Sequence, residues 1–470
     1  MNIKELNENQ IEKIKMLTEE MIETIGFNVQ NNTLLKKAKK AGAIVDDISM
    51  TVKIPKKLLR ELLNNIPKSF VIKGIDGKEY KIGGDKQYIW AIVVDPWIID
   101  YYTQKPRRPS LEDIKINTIL AQKNEDVAAM SRMDFPVTDY SDNTSSLRAL
   151  ETHLLNHVKH NVLMISSLEN LKVCMETGEI IADGKGFANS KLASVGVSII
   201  SPLILSDLNS KILLEATKRN FAVIPTTCPI AGMTSPYTIG NTLLQGNVET
   251  IFLAALTQII NPGNPYLYAL GPSVCDLYTG FDLYYTIDKV LWKIAGTELA
   301  KSYNIPNVAE CGGTLSHRYD MQSGAESILF MLTAQNTGAS IISGLGSCFN
   351  ANGLSSEMII IQSEWFRISK FLSRGINLHY LEEGINSIQS RGHGGNFLSD
   401  DLTIKFVRSD EFFKSDLLDT TGGFKSVPSL LENAHRKVKE LTEGYNSPVP
   451  ENIQENLRRY FYNLYKKMNS

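Results

Sequence analysis

Five loops rich in glycine, aromatic and acidic residues carry most of the side chains that could do chemistry in this chain. The first is Thr226-Thr-Cys-Pro-Ile-Ala-Gly-Met-Thr-Ser-Pro-Tyr-Thr-Ile-Gly240, which runs on into Gly246-Asn-Val-Glu249. The second is Tyr266-Leu-Tyr-Ala-Leu-Gly-Pro-Ser273. A third spans Ala309-Glu-Cys-Gly-Gly-Thr-Leu-Ser-His-Arg-Tyr-Asp-Met-Gln-Ser-Gly-Ala-Glu326. The fourth joins Ile342-Ser-Gly-Leu-Gly-Ser347 to Ser355-Ser-Glu357, and the fifth is Gly392-His-Gly-Gly-Asn-Phe-Leu398. Ring faces attract cations. The aromatic candidates for such a contact are Tyr237, Tyr266, Tyr268, Tyr278, Trp365 and Phe397, with Glu249, Glu310 and Glu357 as counter-charges. A carboxylate on a ligand would need donors. His317, Arg318, Arg391, His393 and the backbone N–H groups of the glycine loops are the available ones. The set suits a site that holds a cation, aims it and excludes water.

Each of these residues also has a plainer reading. Gly271, Gly312, Gly313 and Gly344 make tight turns. Tyr266 and Tyr268 share one strand face and fill a barrel interior. Trp365, in a helical pattern with Phe371, belongs to a core. Glu249 opens a helical stretch and caps or pairs there. His317-Arg318 is a solvated loop pair, and Asp320, Gln322 and Glu326 are first-turn helix residues. His153, His157 and His160 recur at i, i+4 and i+7, a spacing that can bind metal. With no acidic ligand nearby, they read as surface residues. Cys228, Cys275, Cys311 and Cys348 each follow a strand-like run, and convergence at one barrel end would suit a zinc-thiolate site. There is no His-x-Cys ligand pair, and small buried core residues are the alternative.

The loops need a scaffold that brings them together. From about residue 110 the chain alternates short apolar runs with helical stretches. The runs are Val127–Arg132, Asn161–Ile165, Leu192–Ile200, Phe221–Thr226, Tyr266–Leu270, Asn307–Cys311 and Ser340–Ser343. An eighth comes from Tyr88–Val94 or from Ile376–His379. Repeated βα units mean parallel strands with helices outside. The expected architecture is α/β, a (β/α)8 TIM-type barrel with an N-terminal helical and β extension. A doubly wound open sheet is the alternative, weakened because no G-x-G-x-x-G or G-x-x-x-x-G-K-[ST] loop follows a strand. The expected divisions are an extension over 1–109, the barrel over 110–428 and a helical tail over 429–470 packed on the barrel. Ser110 followed by Asp113 predicts a helix N-cap.

Composition narrows the function classes. The chain has 470 residues, of which 43% are hydrophobic, enough for a large core. A formal net charge of −2 gives no electrostatic case for nucleic acid. Five widely spaced cysteines are no secreted disulfide framework. No signal-peptide core and no uninterrupted transmembrane run is visible, so a soluble, cytoplasmic protein is expected.

From about residue 95 to 415 the chain resembles the trimethylamine methyltransferase family of corrinoid-dependent methyltransferases. The resemblance rests on Pro229-Ile-x-Gly-x-Thr-x-Pro236 with Asn247-x-Glu249, and on Gly392-x-Gly-Gly-x-Phe-Leu398. Ser198-x-x-Ser-Pro-Leu203 and Asp320-x-Gln-x-Gly-x-Glu326 add to it. It implies a (β/α)8 barrel and methyl donation to the cobalt of a corrinoid (cobalamin). It places Glu249, His317 and Gln322 in catalysis, and Tyr237, Tyr266, Tyr268, Glu310, Arg318, Glu357 and Phe397 around the donor. Gly312, Gly313, Gly344, His393, Gly394 and Gly395 would face the corrinoid. No Asp-x-His-x-x-Gly cobalt-ligating signature occurs, so a partner corrinoid-binding protein is expected to bring the cofactor, with no metal held by this chain.

Two departures sharpen the expectation. The trimethylamine-specific members use pyrrolysine, which this sequence lacks, and this points to quaternary amines: glycine betaine, proline betaine, carnitine or γ-butyrobetaine. The family's His-Thr pair after the Gly-Gly-x-Phe-Leu stretch is replaced by Leu402-Thr403. That keeps a non-catalytic quaternary-amine binder as one alternative, beside a zinc-thiolate barrel methyltransferase. Barrels of this kind often self-associate, so a homo-oligomer is expected.

Overall fold

Short runs buried on both faces can pair only with parallel neighbours that helices cover from outside. In the computed structural model, which describes residues 3–92 and 95–468, seven such strands form one sheet. They are β1 Tyr88–Ala91, β2 Val127–Ser131, β3 His160–Met164, β4 Ala193–Ser198 and β5 Ala222–Thr226, then β7 Val308–Glu310 and β8 Ile341–Leu345. All pair in parallel, and β8 pairs with β1. The gap between β5 and β7 is filled by β6, residues 266–268, through parallel bridges Val223↔Tyr266 and Tyr268↔Asn307. The Leu267 N–H donates to the Val223 carbonyl and the Val308 N–H to that of Tyr268. The sheet thus closes as an eight-stranded barrel.

The strand expected from Tyr88–Val94 is therefore the first of the barrel; Val93 and Val94 lie outside the described residues. Ile376–His379, the other candidate, is not a strand and is exposed. A barrel boundary at residue 110 falls after β1, so the barrel draws its first strand from the segment expected to be an extension.

The helices alternate with the strands: α1 Leu111–Lys123, α2 Ser145–Leu154, α3 Leu168–Ile181, α4 Asp207–Lys218, α5 Ile239–Ile260, α6 Lys289–Ser302, α7 Met321–Asn336 and α8 Ser356–Ser373. Ser110 caps α1 in a reciprocal pair with Asp113. Helix α5 is long and apolar enough to cross a membrane by length and composition, but most of it is buried inside the protein. Its far side is covered by the N-terminal helices Glu8–Thr24, Asn32–Lys40 and Lys56–Asn64, and Phe252 stacks on Phe27 at 3.7 Å. An all-round apolar helix is what a position between two layers requires.

One end of the barrel is plugged. The hairpin Phe70–Lys73 with Glu79–Ile82 sends Ile72, Tyr80 and Ile82 into the interior cluster with Trp90, Ile224 and Leu267. Its backbone bonds to Lys191 and Val158, which precede β4 and β3, so the plug sits at the N-terminal ends of the strands. The open mouth is at the C-terminal ends, where barrels of this type carry their chemistry. Helix α8 returns the chain to the plugged end, where Ser369 and Ser373 bond the side chain of Gln335. From there residues 376–411 leave as an arm. Its helices Leu381–Arg391 and Asp401–Phe406 contain no buried residue. Helices Leu430–Thr442 and Glu451–Met468 then pack back on the barrel's outside.

Candidate active site

Strand β7 points Val308 into the interior cluster, and the alternation of a strand puts Glu310 on the same side at the mouth. The segment between β6 and α6 folds over it. The Tyr284 hydroxyl donates to Glu310 Oε1 at 2.5 Å. Lys289 Nζ stands 3.1 Å from Glu310 Oε2, 3.3 Å from the Pro272 carbonyl and 3.0 Å from the centre of the Tyr284 ring. Burial alone would raise the Glu310 carboxyl, but the ammonium groups of Lys289 and Lys293 outweigh it and hold Glu310 below the usual carboxylate range. Tyr284 fits because residue 271 is glycine: a Cβ there would come within 2.4 Å of the hydroxyl.

Tyr285 forms the next wall, 5.1 Å from Tyr284 and nearly perpendicular to it. Its ring lies against Gly313, where a Cβ would be 2.2 Å from it. A Cβ on Gly312 would sit 1.7 Å from the Gly344 carbonyl, so β7 and β8 can end side by side only with glycine there. Beyond Tyr285, whose hydroxyl donates to Ser347 at 3.3 Å, lies Asp95, after β1. Asp95 is buried, and burial pushes its carboxyl up to about 7 against the Ser347 hydroxyl, which favours the ionised form. Its Oδ2 has no hydrogen-bond partner among the described residues. Lys293, one turn along α6 from Lys289, is buried as well. Its Nζ lies 4.2 Å from the centre of the Phe330 ring and 5.9 Å from that of Tyr285, with no hydrogen-bond partner among the described residues. Burial pushes it down to about 7, against the pull of Glu310. Two thiols complete the surroundings, and burial pushes Cys228 up to about 11 and Cys311 up to about 12. They are protonated at neutral pH and weak nucleophiles. The C-terminal end of the barrel is thus a packed cluster of aromatic rings with acids and ammonium groups in close order.

Of the residues singled out from sequence, Glu310 is at its centre, with Gly312, Gly313 and Gly344 packed behind it rather than on an open rim. Tyr266 and Tyr268 do not fill the barrel: they point outward, their hydroxyls bonded to the Thr250 carbonyl and to Asn247 Oδ1 on α5. Glu249 fastens the turn after β4, accepting from Ser201 Oγ at 2.7 Å and from the Leu203 N–H at 3.2 Å. Gln322 donates to Glu326, which in turn accepts from Thr314 and the Leu315 N–H, so this pair secures the loop after β7. His317 is half-buried with its ring 5.6 Å from that of Phe349. Arg318 is exposed and paired with Asp320. Glu357 is bonded to His435 at 2.8 Å and to the Tyr319 hydroxyl. Tyr237 and Tyr278 are exposed, and Trp365 is core. His393, Gly394, Gly395 and Phe397 lie on the arm that leaves from the plugged end, so within one chain they do not meet the mouth.

The histidines depart from expectation as well. His153, His157 and His160 are buried, not on the surface. His153 bonds Thr118, and His160 bonds Ser194 and two carbonyls. All five cysteines are free, and among the described residues no group of three or more His, Cys, Asp or Glu is placed to hold a metal ion. Sequence reasoning missed Asp95, Tyr284, Tyr285, Lys289 and Lys293. The available signal was Tyr284-Tyr285 followed by lysines at i and i+4 in the apolar first half of a helix, together with Asp95-Pro96 after an apolar run.

The chain is similar to a trimethylamine methyltransferase of Desulfitobacterium hafniense, with 24% identity over 96% of this chain and 92% of that protein. It is 24% identical to a glycine betaine methyltransferase of the same species, over 94% and 93%. A proline betaine:corrinoid methyltransferase of Eubacterium limosum is 25% identical over the same shares. Among solved structures, the monomethylamine methyltransferase of Methanosarcina barkeri aligns with a TM-score of 0.49 and 13% identity, covering 97% of this chain and 93% of that one. The family model described as trimethylamine methyltransferase matches residues 1–468, and on that match the chain belongs to the trimethylamine methyltransferase family.

Proposed function

We propose that the protein transfers a methyl group from a quaternary amine to the Co(I) corrinoid of a separate corrinoid protein. Family membership over the whole chain carries this reading, with relatives named for glycine betaine and proline betaine. The mouth supports it. A quaternary ammonium already bears its full charge, and aromatic faces with a carboxylate are the groups that hold such a cation. Tyr284 and Tyr285 supply the faces, and Asp95, whose Oδ2 has no hydrogen-bond partner among the described residues, supplies the carboxylate. The cobalt attacks the methyl carbon with its electron pair. The C–N bond breaks, and its pair stays on nitrogen, so the donor leaves as a neutral tertiary amine. No proton needs to be delivered, and no protein nucleophile is required. What remains for the protein is to hold one methyl in line with the cobalt and keep water out.

The test is direct. Purified protein, a cob(I)alamin-loaded corrinoid protein and a panel of betaines are mixed, and the cobalt absorbance is followed. Conversion to methylcobalamin with at least one quaternary amine, and negligible conversion with trimethylamine, is the expected result. Donor binding without cobalt methylation would establish the non-catalytic binder instead. Robust turnover of trimethylamine would overturn the donor assignment.

A further inference from the structure

The mouth contains three buried charged side chains, Asp95, Lys289 and Lys293, beside the half-buried Glu310, and they are not equivalent. Lys289 and Glu310 form an ion pair at 3.1 Å, with the Tyr284 hydroxyl on Glu310 Oε1 and the Pro272 carbonyl on Lys289, while Glu310 Oε2 has that ion pair and no hydrogen bond. Asp95 and Lys293 are left over. Each is more than nine-tenths buried, and the Asp95 Oδ2 and the Lys293 Nζ have no hydrogen-bond partner among the described residues. Both sit against Tyr285. Asp95 reaches it through Ser347, which bonds the tyrosine hydroxyl, and Lys293 lies beside the ring with Phe330. An isolated buried charge is costly, and two of opposite sign that do not pair with each other call for a ligand that pairs with both. Buried ionisable groups without partners cluster at functional sites.

Resting on the donor reading above, we propose that Asp95 and Lys293 are specificity-determining residues that hold the two ends of a zwitterionic donor. Asp95 faces the quaternary ammonium and Lys293 the carboxylate. A zwitterion brings no net charge into the mouth, and it satisfies both unpaired groups at once. A plain quaternary cation would satisfy Asp95 and leave Lys293 alone. Tyr285, between the two, offers its ring to the methyl groups.

The experiment compares wild type with Lys293→Met and Asp95→Asn. Both substitutions nearly preserve volume and remove an unpaired buried charge, so thermal unfolding should show a melting temperature that is unchanged or raised. Binding is measured by calorimetry for the betaine that gives the best cobalt methylation and for tetramethylammonium, which has the cationic head without a carboxylate. Lys293→Met should weaken the betaine tenfold or more and change tetramethylammonium less than twofold. Lys293→Arg should restore most of the difference, and Asp95→Asn should weaken both ligands. Equal effects of Lys293→Met on the two ligands, or none on either, in a stable variant would overturn the assignment while wild-type turnover still upheld the methyltransfer. If wild type neither binds nor demethylates any quaternary amine, the donor reading fails and this assignment falls with it.

Discussion

Lys289 and Glu310 show how much a single buried contact decides. Neither group tolerates burial alone, and removing one partner of such a pair typically costs about 3–5 kcal/mol. Glu310→Gln should therefore lower unfolding stability by about 3 kcal/mol at neutral pH, read from urea titration. The double change Glu310→Leu with Lys289→Met should recover most of that loss, because it removes both charges together. A single variant as stable as wild type would show that Lys289 finds another partner. Glu310 was legible in the sequence because it ends an apolar run and precedes Gly312-Gly313. Its lysine was not, since nothing in local sequence says that a helix residue will reach over a strand end.

At the scale of elements, the contact between β6 and α5 explains why the tyrosine cage expected from sequence is elsewhere. The alternation of Tyr266, Leu267 and Tyr268 is visible in the chain, but alternation does not say which face is the inside. Leu267 joins the interior cluster, and the tyrosines face the helix layer. Tyr268→Phe would leave Asn247 Oδ1 without its donor, a loss of about 1–3 kcal/mol, with donor affinity unchanged. Thermal unfolding and calorimetry on the same variant check this; lost affinity at full stability would return the ring to the site. Glu249 belongs to this scale too. Glu249→Ala should loosen the turn at Ser201–Leu203 and lower the melting temperature, because three hydrogen bonds end on its carboxylate.

The whole molecule answers to pH through its buried histidines. Burial pushes His157 down to about 3 and His160 down to about 4. Their folded values lie below the ordinary 6.5, so the unfolded chain binds more protons between those limits. Stability is then full above pH 6.5 and falls as pH drops toward 4. A loss of about 2 kcal/mol per histidine is expected between neutrality and about pH 5, seen as a lower urea midpoint. His157 has no hydrogen-bond partner on either ring nitrogen among the described residues, so His157→Leu should flatten this slope without loss at neutral pH. The arm supplies a second prediction. Leu381, Ile385 and Ile388 form an exposed apolar stripe, which a monomer rarely leaves in water. The arm departs from the end opposite the mouth, so a second copy can cover it while the mouth stays open to the corrinoid protein. Light scattering should give a mass above the 52.4 kDa of one chain, falling to that value for Ile385→Asp with Ile388→Asp. A wild-type monomer would contradict it.

Apolar periodicity and loop punctuation, by themselves, determined repeated parallel βα units and favoured a barrel over a doubly wound sheet. Those patterns are local, and each strand run carries its own two-sided burial. The order and spacing of Ser198 to Leu203, Pro229 to Pro236 with Glu249, Asp320 to Glu326 and Gly392 to Leu398 together carried the family resemblance. Tertiary structure alone decided which loop residues meet. It turned Tyr266 and Tyr268 away from the mouth, gave Glu249 to a turn and carried His393 to the far end. It also gathered Asp95, Tyr284, Tyr285, Lys289 and Lys293 around Glu310. The physical reason is closure: Asp95 and Glu310, far apart in sequence, become neighbours only because β8 pairs back onto β1.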